Sequence, residues 1–335
     1  MKKNILGLLA AAALCAGCGA KEDPHYSQKT FIMNVPAQVK VYGAGPEEGR
    51  KIADAIFAEW NRVSGEFSYS DPYSMTSLVN KKAYGEWVKV DDEFLKLLML
   101  SMDYYRLTDG AFDITFAPLW PLWQTAASTK KMPAKEDIQK ALRDIGSNYI
   151  QVDAPRKLVR FTRPIQINMG GLLRGYCFDR TYRMLKQNPA RYPVELRLGG
   201  NMMVLGDRIW EYRVMDPFKD SKALGKFVFN SGVVMSSSGR DHFVQIEGRL
   251  YSHILDLKTG YPIDNFSNLT VFLPDMENGN FLASAVLAVM GQDKAFKLLG
   301  AIKGSSAVWV DGQGAPTVYT NPSATVKWEK TTGLF

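Results

Sequence analysis

The chain has 335 residues and a formal net charge of +7, a length that allows one large domain or two merged lobes with a sizeable core. Its basic residues are scattered, and no Lys/Arg block with interleaved aromatic residues occurs, which argues against nucleic acid as the partner. Cys177 is the single cysteine after Cys18, so the sequence excludes a disulfide framework within the body of the chain.

The first residues, MKKNILGLLAAAALCAGC, place two lysines before a short apolar stretch that ends at Cys18. This stretch is too short for a stable membrane span, so it predicts a signal peptide over 1–17. The small residues before Cys18 resemble a bacterial lipobox and predict lipidation of that cysteine; ordinary cleavage to a free secreted protein is the alternative. We expect a tether over 18–29, a folded domain over 30–335, and a membrane-anchored protein that faces the periplasm or the cell exterior.

Hydrophobic periodicity and turn residues predict the elements that follow. The predicted helices cover 46–63, a short stretch within 68–80, 91–107, 136–145, 171–186 and 280–299. The predicted strands cover 30–42, 148–153, 157–162, 165–168, 209–215, 226–230, 241–246 and 250–256, with a hairpin at the end of the chain. This order predicts an α+β fold: mostly antiparallel sheets with packed helices, in a single large domain of two merged lobes.

The stretch INMGGLLRGYCFD (167–179) runs from a predicted strand through two glycines into a predicted helix. Glycine allows a backbone to approach a ligand closely, and the start of a helix presents free N–H groups and a positive dipole end. The junction is therefore a candidate site for a phosphate or another anion. A plain tight turn is the alternative.

Six stretches together resemble motifs of the ApbE-type FAD:protein FMN transferases, and they occur in that family's order over nearly the whole chain after the signal peptide. In chain order they are FSYSDPYSMTSLVN (67–80), TDGAFDITFAPLWPLW (108–123), INMGGLLRGYCFD (167–179), LGGNMMVLG (198–206), SSSGRDHF (236–243) and YSHILDLKTGYP (251–262). The resemblance implies the T-fold-like architecture of that family. It also implies a Mg²⁺-dependent enzyme that transfers FMN from FAD to a Thr or Ser hydroxyl of an acceptor redox protein and releases AMP.

The resemblance also implies roles for individual residues. The paired glycines would wrap the FAD diphosphate, and His253 would be the general base or would orient the acceptor. The residues implied to contact FAD are Met33, Tyr69, Ala111, Phe112, Asp113, Asn168, Arg174 and, through its backbone, Ile254. The implied acceptor is a subunit of a membrane redox complex or another flavinylated protein.

The implied Mg²⁺ site departs from the family pattern. Gly171 would contribute a carbonyl oxygen, and the family's last helix contributes an Asp and a Thr four residues apart. In NGNFLASAVLAVMG (278–291) these positions fall on Asn280 and Ser284 in the register that we prefer, and on Phe281 and Ala285 in the other. Amides in place of acids weaken the attraction for Mg²⁺. A flavin-binding or FAD-hydrolysing lipoprotein with a degenerate metal site is therefore the alternative function, and an accessory interaction module without cofactor is a third.

Overall fold

An eight-stranded antiparallel sheet organises the computed structural model, which describes residues 23–187, 191–239, 243–263, 266–276 and 284–331. The strands, in chain order, are β1 (His25–Ile32), β2 (Val35–Tyr42), β3 (Val88–Lys89), β4 (Ile150–Asp153), β5 (Leu158–Phe161), β6 (Val194–Leu198), β7 (Asn201–Leu205), β8 (Trp210–Met215), β9 (Ala223–Phe229), β10 (Gly232–Ser238), β11 (Phe243–Ile246), β12 (Arg249–Ser252), β13 (Leu255–Asp256), β14 (Tyr261–Pro262), β15 (Phe266–Leu273), β16 (Ser306–Asp311), β17 (Pro316–Thr320) and β18 (Lys327–Lys330). The large sheet has the order β1-β2-β6-β7-β10-β15-β16-β17, and the strands β18-β9-β8 form a separate three-stranded sheet.

The described helices are α1 (Pro46–Glu66), α2 (Met75–Lys82), α3 (Asp92–Leu107), α4 (Trp120–Thr129), α5 (Lys135–Arg143), α6 (Gly170–Gln187), α7 (Ser284–Met290) and α8 (Gln292–Gly300). Helices α1, α7 and α8 pack on the large sheet, whereas α4 and α5 form a separate small core with β11. Among the described residues, no helix has the length and apolar character that a membrane crossing requires.

The central strands of the large sheet are buried on both faces. On β7, Met203 belongs to the core beneath the helices, whereas Met202 and Val204 belong to a second core against the three-stranded sheet. On β16, Trp309 likewise belongs to the core beneath the helices, and Val308 belongs to the second core. Burial on both faces explains why these strands read as continuous apolar runs rather than as alternating patterns. The predicted α+β fold of antiparallel sheets and packed helices is confirmed.

The predicted strand over 30–42 is wrong, because the chain turns back within it. Met33 and Asn34 adopt left-handed φ angles of 53° and 59°, and β1 and β2 pair on either side of them. Residues with positive φ form the tight turns that join antiparallel strands, but glycine usually marks them, and here it is absent. The predicted tether over 18–29 is also corrected, since His25 already begins β1.

Two further predicted elements differ from the structure. The stretch 165–168 forms no strand; the side chain of Asn80 takes both backbone hydrogen bonds of Ile167, which a neighbouring strand would otherwise supply. The single helix predicted over 280–299 is two helices, α7 and α8, separated at Gly291, whose φ is 82°. The ψ of Gly291 is 160°, outside the helical range, and glycine adopts this positive φ without the steric cost of a side chain, so the helix ends there. The first residues of that predicted helix lie outside the described residues.

Candidate functional site

The glycine pair begins α6, and the chain that leads into it is held on both sides. Asn80 Nδ2 donates to the carbonyl of Ile167 at 2.9 Å, and the amide of Ile167 donates to Asn80 Oδ1 at 2.7 Å. The amide of Asn168 donates to the carbonyl of Ile114 at 2.6 Å, and Asn168 Oδ1 accepts from the amide of Gly170 at 2.9 Å. These bonds fix where the helix starts, so the positive end of α6 has a defined position.

A cleft opens at this end of α6. Eight of the predicted site residues line it: Ala111, Phe112, Asp113, Asn168, Gly171, Arg174, His253 and Ile254. A Cβ added to Gly171 would lie 3.5 Å from the ring of Phe112, which is ordinary contact distance. The sequence therefore identified residues that are distant along the chain and that the fold brings into one cleft.

Asp113 anchors the wall that contains Ala111 and Phe112. Its buried carboxylate accepts hydrogen bonds from the amide and hydroxyl of Thr115, at 2.8 and 2.7 Å. It also accepts from the amide and hydroxyl of Ser147, at 3.0 and 2.7 Å. These bonds use the oxygen lone pairs of the carboxylate, so Asp113 stabilises the wall. Its predicted contact with FAD stays a prediction.

Arg174 lies one turn into α6, on the same face as Gly170 and Gly171, because residues three and four apart are neighbours on a helix. Its side chain is exposed to the cleft, and among the described residues it has no hydrogen bond or ion pair. Desolvation by the surrounding protein lowers the pKa of the Arg174 guanidinium from its ordinary value. An arginine nevertheless remains charged at neutral pH, so the cleft holds a cation without a described counter-ion.

His253 lies between β12 and β13, and its exposed side chain lines the same cleft. The next residue, Ile254, is buried, and both of its backbone groups are engaged: its amide donates to Ser252 Oγ at 3.1 Å, and its carbonyl accepts from the amide of Ile263 at 3.0 Å. The histidine therefore projects from a segment whose backbone is held. The predicted backbone contact of Ile254 with FAD stays a prediction.

Of the apolar side of the cleft, the sequence reasoning proposed a site role for Ala285 alone, as the metal position of the other register. This side consists of Phe116, Trp120, Leu255, Leu257, Ala285, Val286 and Val289. Trp120 keeps 43% of its surface exposed although it is a large aromatic residue. The i, i+3 spacing of Val286 and Val289 was a possible signal, but it is equally typical of a helix that faces the core. Aromatic and aliphatic walls with a few polar groups are typical of sites for small molecules.

The remaining predicted residues lie apart from this lining. Met33 is in the β1–β2 turn against the main core, and the hydroxyl of Tyr69 donates to Gln166 Oε1 at 2.6 Å, two residues before Asn168. Ser284 is 2% exposed and hydrogen-bonds Ser237 Oγ at 2.7 Å. The next residue, Ala285, faces the cleft instead. Asn280 and Phe281 lie outside the described residues.

The described donors do not fit a resident magnesium ion. Of the described residues that line the cleft, Asp113 supplies the only carboxylate, and it already accepts four hydrogen bonds. Ser284 points to Ser237, and Asn168 Oδ1 accepts from the amide of Gly170. Within the described ranges, no three His, Cys, Asp or Glu side chains are grouped as a metal site needs. Mg²⁺ prefers oxygen ligands and usually takes one or two carboxylates.

Comparison with known proteins gives consistent matches. The sequence model of the ApbE family matches residues 33–309. The chain is 25% identical over 288 residues to an FAD:protein FMN transferase of Klebsiella pneumoniae, which covers 85% of this chain and 89% of the relative. It is 26% identical over 328 residues to an FAD:protein FMN transferase of Haemophilus influenzae, with 92% of this chain and 93% of the relative covered.

Solved structures share the fold. The ApbE protein of Thermotoga maritima superposes with a TM-score of 0.78 at 26% identity, over 89% of this chain and 97% of that protein. The flavinyl transferase ApbE of Pseudomonas stutzeri, in its apo form, superposes with a TM-score of 0.71 at 21% identity, over 90% of this chain and 96% of that protein. The range of the family model, 33–309, includes every described residue that lines the cleft.

Proposed function

This chain belongs to the ApbE family, and on that premise we propose that it transfers FMN from FAD to a Ser or Thr hydroxyl of an acceptor protein. The hydroxyl oxygen attacks the phosphorus on the FMN side of the diphosphate, and the bond from that phosphorus to the bridging oxygen breaks. AMP leaves with the bridging oxygen, and the hydroxyl proton passes to a base. The product is a phosphoester between FMN and the acceptor.

The observation that carries this proposal is the juxtaposition of Arg174 with the start of α6. Phosphoryl transfer asks a protein chiefly to position the reactants and to neutralise negative charge. Arg174 has no described counter-ion, and it lies beside the helix end at Gly170 and Gly171. A diphosphate fits such a place, because an arginine can donate two parallel hydrogen bonds and a helix N-terminus attracts anions.

We assign the base to His253. Histidine is the side chain whose ordinary titration range lies nearest neutral pH, and a general base must lie within reach of the proton that it takes. Its imidazole is exposed in the same cleft as Arg174. Phe112 and Trp120 provide aromatic surface in that cleft, suited to the ring systems of FAD.

The role of Mg²⁺ stays a prediction. Because the described cleft-lining residues offer no carboxylate besides Asp113, which already accepts four hydrogen bonds, an ion that accompanies FAD would take its ligands mainly from the FAD phosphates and water. We therefore expect FAD binding to persist when divalent cations are removed. A chelator titration of FAD affinity measures this directly, and complete loss of FAD binding in chelator would show that the protein holds an essential ion.

We also propose that Cys18 anchors the protein to a bacterial membrane after removal of 1–17, facing the periplasm or the cell exterior. The acceptor would then be a subunit of a membrane redox complex or another flavinylated protein in that compartment. Cys18 and the signal peptide lie outside the described residues. Metabolic labelling with a fatty acid should mark the wild-type chain and leave Cys18→Ser unlabelled; equal labelling of both would overturn the anchor.

The test of the proposed function is direct. The purified full chain is incubated with FAD, Mg²⁺ and an acceptor domain that carries a flavinylatable Thr. We expect AMP release and covalent flavin fluorescence on the acceptor, which survives denaturing electrophoresis. AMP release without labelled acceptor would indicate FAD hydrolysis, and FAD binding without AMP would indicate a flavin-binding protein. Absence of FAD binding would overturn every flavin-based function.

A further inference from the structure

Two turns that lead into the cleft are joined at the protein surface. Asp109 precedes the cleft-lining segment 111–113, and Lys258 follows the cleft-lining residue Leu257. Lys258 Nζ lies 2.5 Å from Asp109 Oδ2, and the two side chains are 56% and 82% exposed. Asp109 and Lys258 are 149 positions apart in the chain. The ion pair thus connects two distant segments that both lead into the cleft.

Each of these turns is held by its own hydrogen bonds. Asp109 has a left-handed φ of 53°, and the amide of Gly110 donates to the carbonyl of Tyr105 at 2.9 Å. On the other side, Asp256 accepts from the amide of Lys258 through Oδ1 at 2.9 Å and from the amide of Gly260 through its carbonyl at 2.7 Å. Because each turn is held by its own hydrogen bonds, the contact between Asp109 and Lys258 also restricts the positions of the cleft residues next to them.

A second contact supports the histidine-bearing segment without charge. Trp123 Nε1, on α4, donates to the carbonyl of Gly260 at 2.9 Å in a buried position. This bond ties the turn to α4, but it does not reach segment 111–113. Among the described residues, the ion pair is one direct link between that segment and the turn after His253, while the tryptophan bond helps to keep the turn folded when the pair is lost.

We propose that Asp109 and Lys258 form a positioning pair that holds the His253 segment in register with the wall made by 111–113. The inference deepens the proposed function and rests on it. The pair is neutral as a whole, because Lys258 is matched by Asp109, so charge neutralisation of the diphosphate remains with Arg174. Its effect is on the placement of the base relative to the reacting phosphorus, where small displacements are costly.

A double-mutant cycle on the full chain tests the pair. Asp109→Asn keeps a residue type that tolerates a left-handed φ, and Lys258→Gln removes the other charge. Each variant should lower kcat by up to about fivefold, the scale of an exposed ion pair, with the KM for FAD little changed. The double variant should lose no more than either single variant, because both changes break the same contact. Lys258→Arg should retain activity.

Salt provides a readout that a general structural defect would not move. Raising the ionic strength from about 0.05 M to about 0.5 M shortens the screening length several-fold and should lower wild-type kcat towards the level of the variants. The ratio of the variants' kcat to the wild-type kcat should therefore approach one at high salt. As a control, Lys226→Gln removes a partly exposed lysine that pairs with Glu211 and Glu329 within the separate three-stranded sheet, and its kcat ratio to wild type should stay near one.

Each contrary result has a distinct meaning. Additive losses in the double variant, or variants with wild-type kcat, would overturn the positioning pair while the proposed function stands. Tighter FAD binding by Asp109→Asn would also overturn it, because that result would mean that a released Lys258 binds the phosphates directly. A wild-type chain that transfers no FMN would overturn the proposed function, and this inference with it.

Discussion

The two sides of the cleft are built differently. The anchored side consists of 111–116 and the start of α6. Side-chain hydrogen bonds of Asp113, Asn80 and Asn168 hold its backbone, and those of Asp113 are buried. The histidine side consists of 253–257 and the cleft face of α7, where backbone turns and apolar contacts predominate. The anchored side presents the cation, and the other side presents the imidazole. We therefore expect changes on the anchored side to affect binding and stability, and changes on the histidine side to affect rate.

The largest expected effect separates rate from binding. His253→Ala should reduce FMN transfer by about 10²- to 10⁴-fold, the usual contribution of a general base. Because the imidazole projects from a segment held through Ile254, FAD affinity should change less than about twofold, within the scatter for an exposed side chain. Single-turnover transfer and calorimetric FAD binding measure the two quantities. Transfer at the wild-type rate would remove the base assignment, and a parallel loss of FAD binding would move His253 into the binding surface.

A stability measurement tests the anchored side. Asp113→Ala leaves the buried hydrogen-bond donors of Thr115 and Ser147 without an acceptor, and each such loss costs about 1 to 3 kcal/mol. The free energy of unfolding should fall by about 3 to 5 kcal/mol, measured by urea denaturation with the m-value recorded. Asp256→Ala, on the more exposed histidine side, serves as the comparison. Equal losses in the two variants would contradict the distinction between the sides.

The anchored side was more accessible to sequence reasoning than the histidine side. Its glycines, its Asp113 and its Arg174 lie in compact local motifs, so the fold had only to bring short stretches together. Asn80, which satisfies the backbone of Ile167, is 87 residues away from it, and no local pattern reveals such a bond. A residue of this kind is found only when the tertiary fold is known.

On the histidine side the apolar lining was hidden for another reason. Val286 and Val289 have the spacing of any buried helix face, so the sequence could not separate cleft from core. The preferred register of α7 shows the same difficulty. A shift of one residue in the register of the helix decides whether Ser284 or Ala285 faces the cleft. Helix periodicity alone does not fix the register to a single residue. In the structure Ser284 turns to Ser237, and Ala285 lines the cleft.

Arg174→Ala tests whether the anchored side binds the anion. Hydrogen bonds to a charged group contribute about 1.5 to 3 kcal/mol, so FAD affinity should fall by about 10- to 100-fold. Affinity for a flavin without phosphate, such as riboflavin, should change little. Arg174→Lys should recover part of the loss, since it keeps the charge without the planar fork. Arg160→Ala, at an exposed arginine on β5 outside the cleft lining, is the matched control. Equal loss of riboflavin and FAD binding would mean that Arg174 supports the fold instead.

The smallest expected effect concerns the back of the anchored side, where α6 is tied to α1. Glu59 accepts from Arg62 at 2.9 Å and from Arg180, on α6, at 2.6 Å. The hydrogen bond from Arg62, followed by that from Arg180 and opposed by desolvation, lowers the pKa of Glu59 to about 2. Since the folded pKa lies below the unfolded value of 4.5, the ionised form stabilises the fold. This contribution is present above the unfolded pKa and is lost as the pH falls towards the folded one.

The paired comparison is wild type against Glu59→Gln, with the free energy of unfolding measured by urea denaturation at neutral pH and near pH 2. At neutral pH wild type should be more stable by about 1 kcal/mol, a value reduced for solvent screening of a partly exposed pair. Near pH 2 the difference should shrink by half or more, because the carboxyl group of Glu59 is then about half protonated in the folded chain and almost fully protonated in the unfolded chain. A difference that stays constant with pH would show that the side chain acts through shape and not through charge. In that case α6, and with it the position of Arg174, would depend on helix packing rather than on this ion pair.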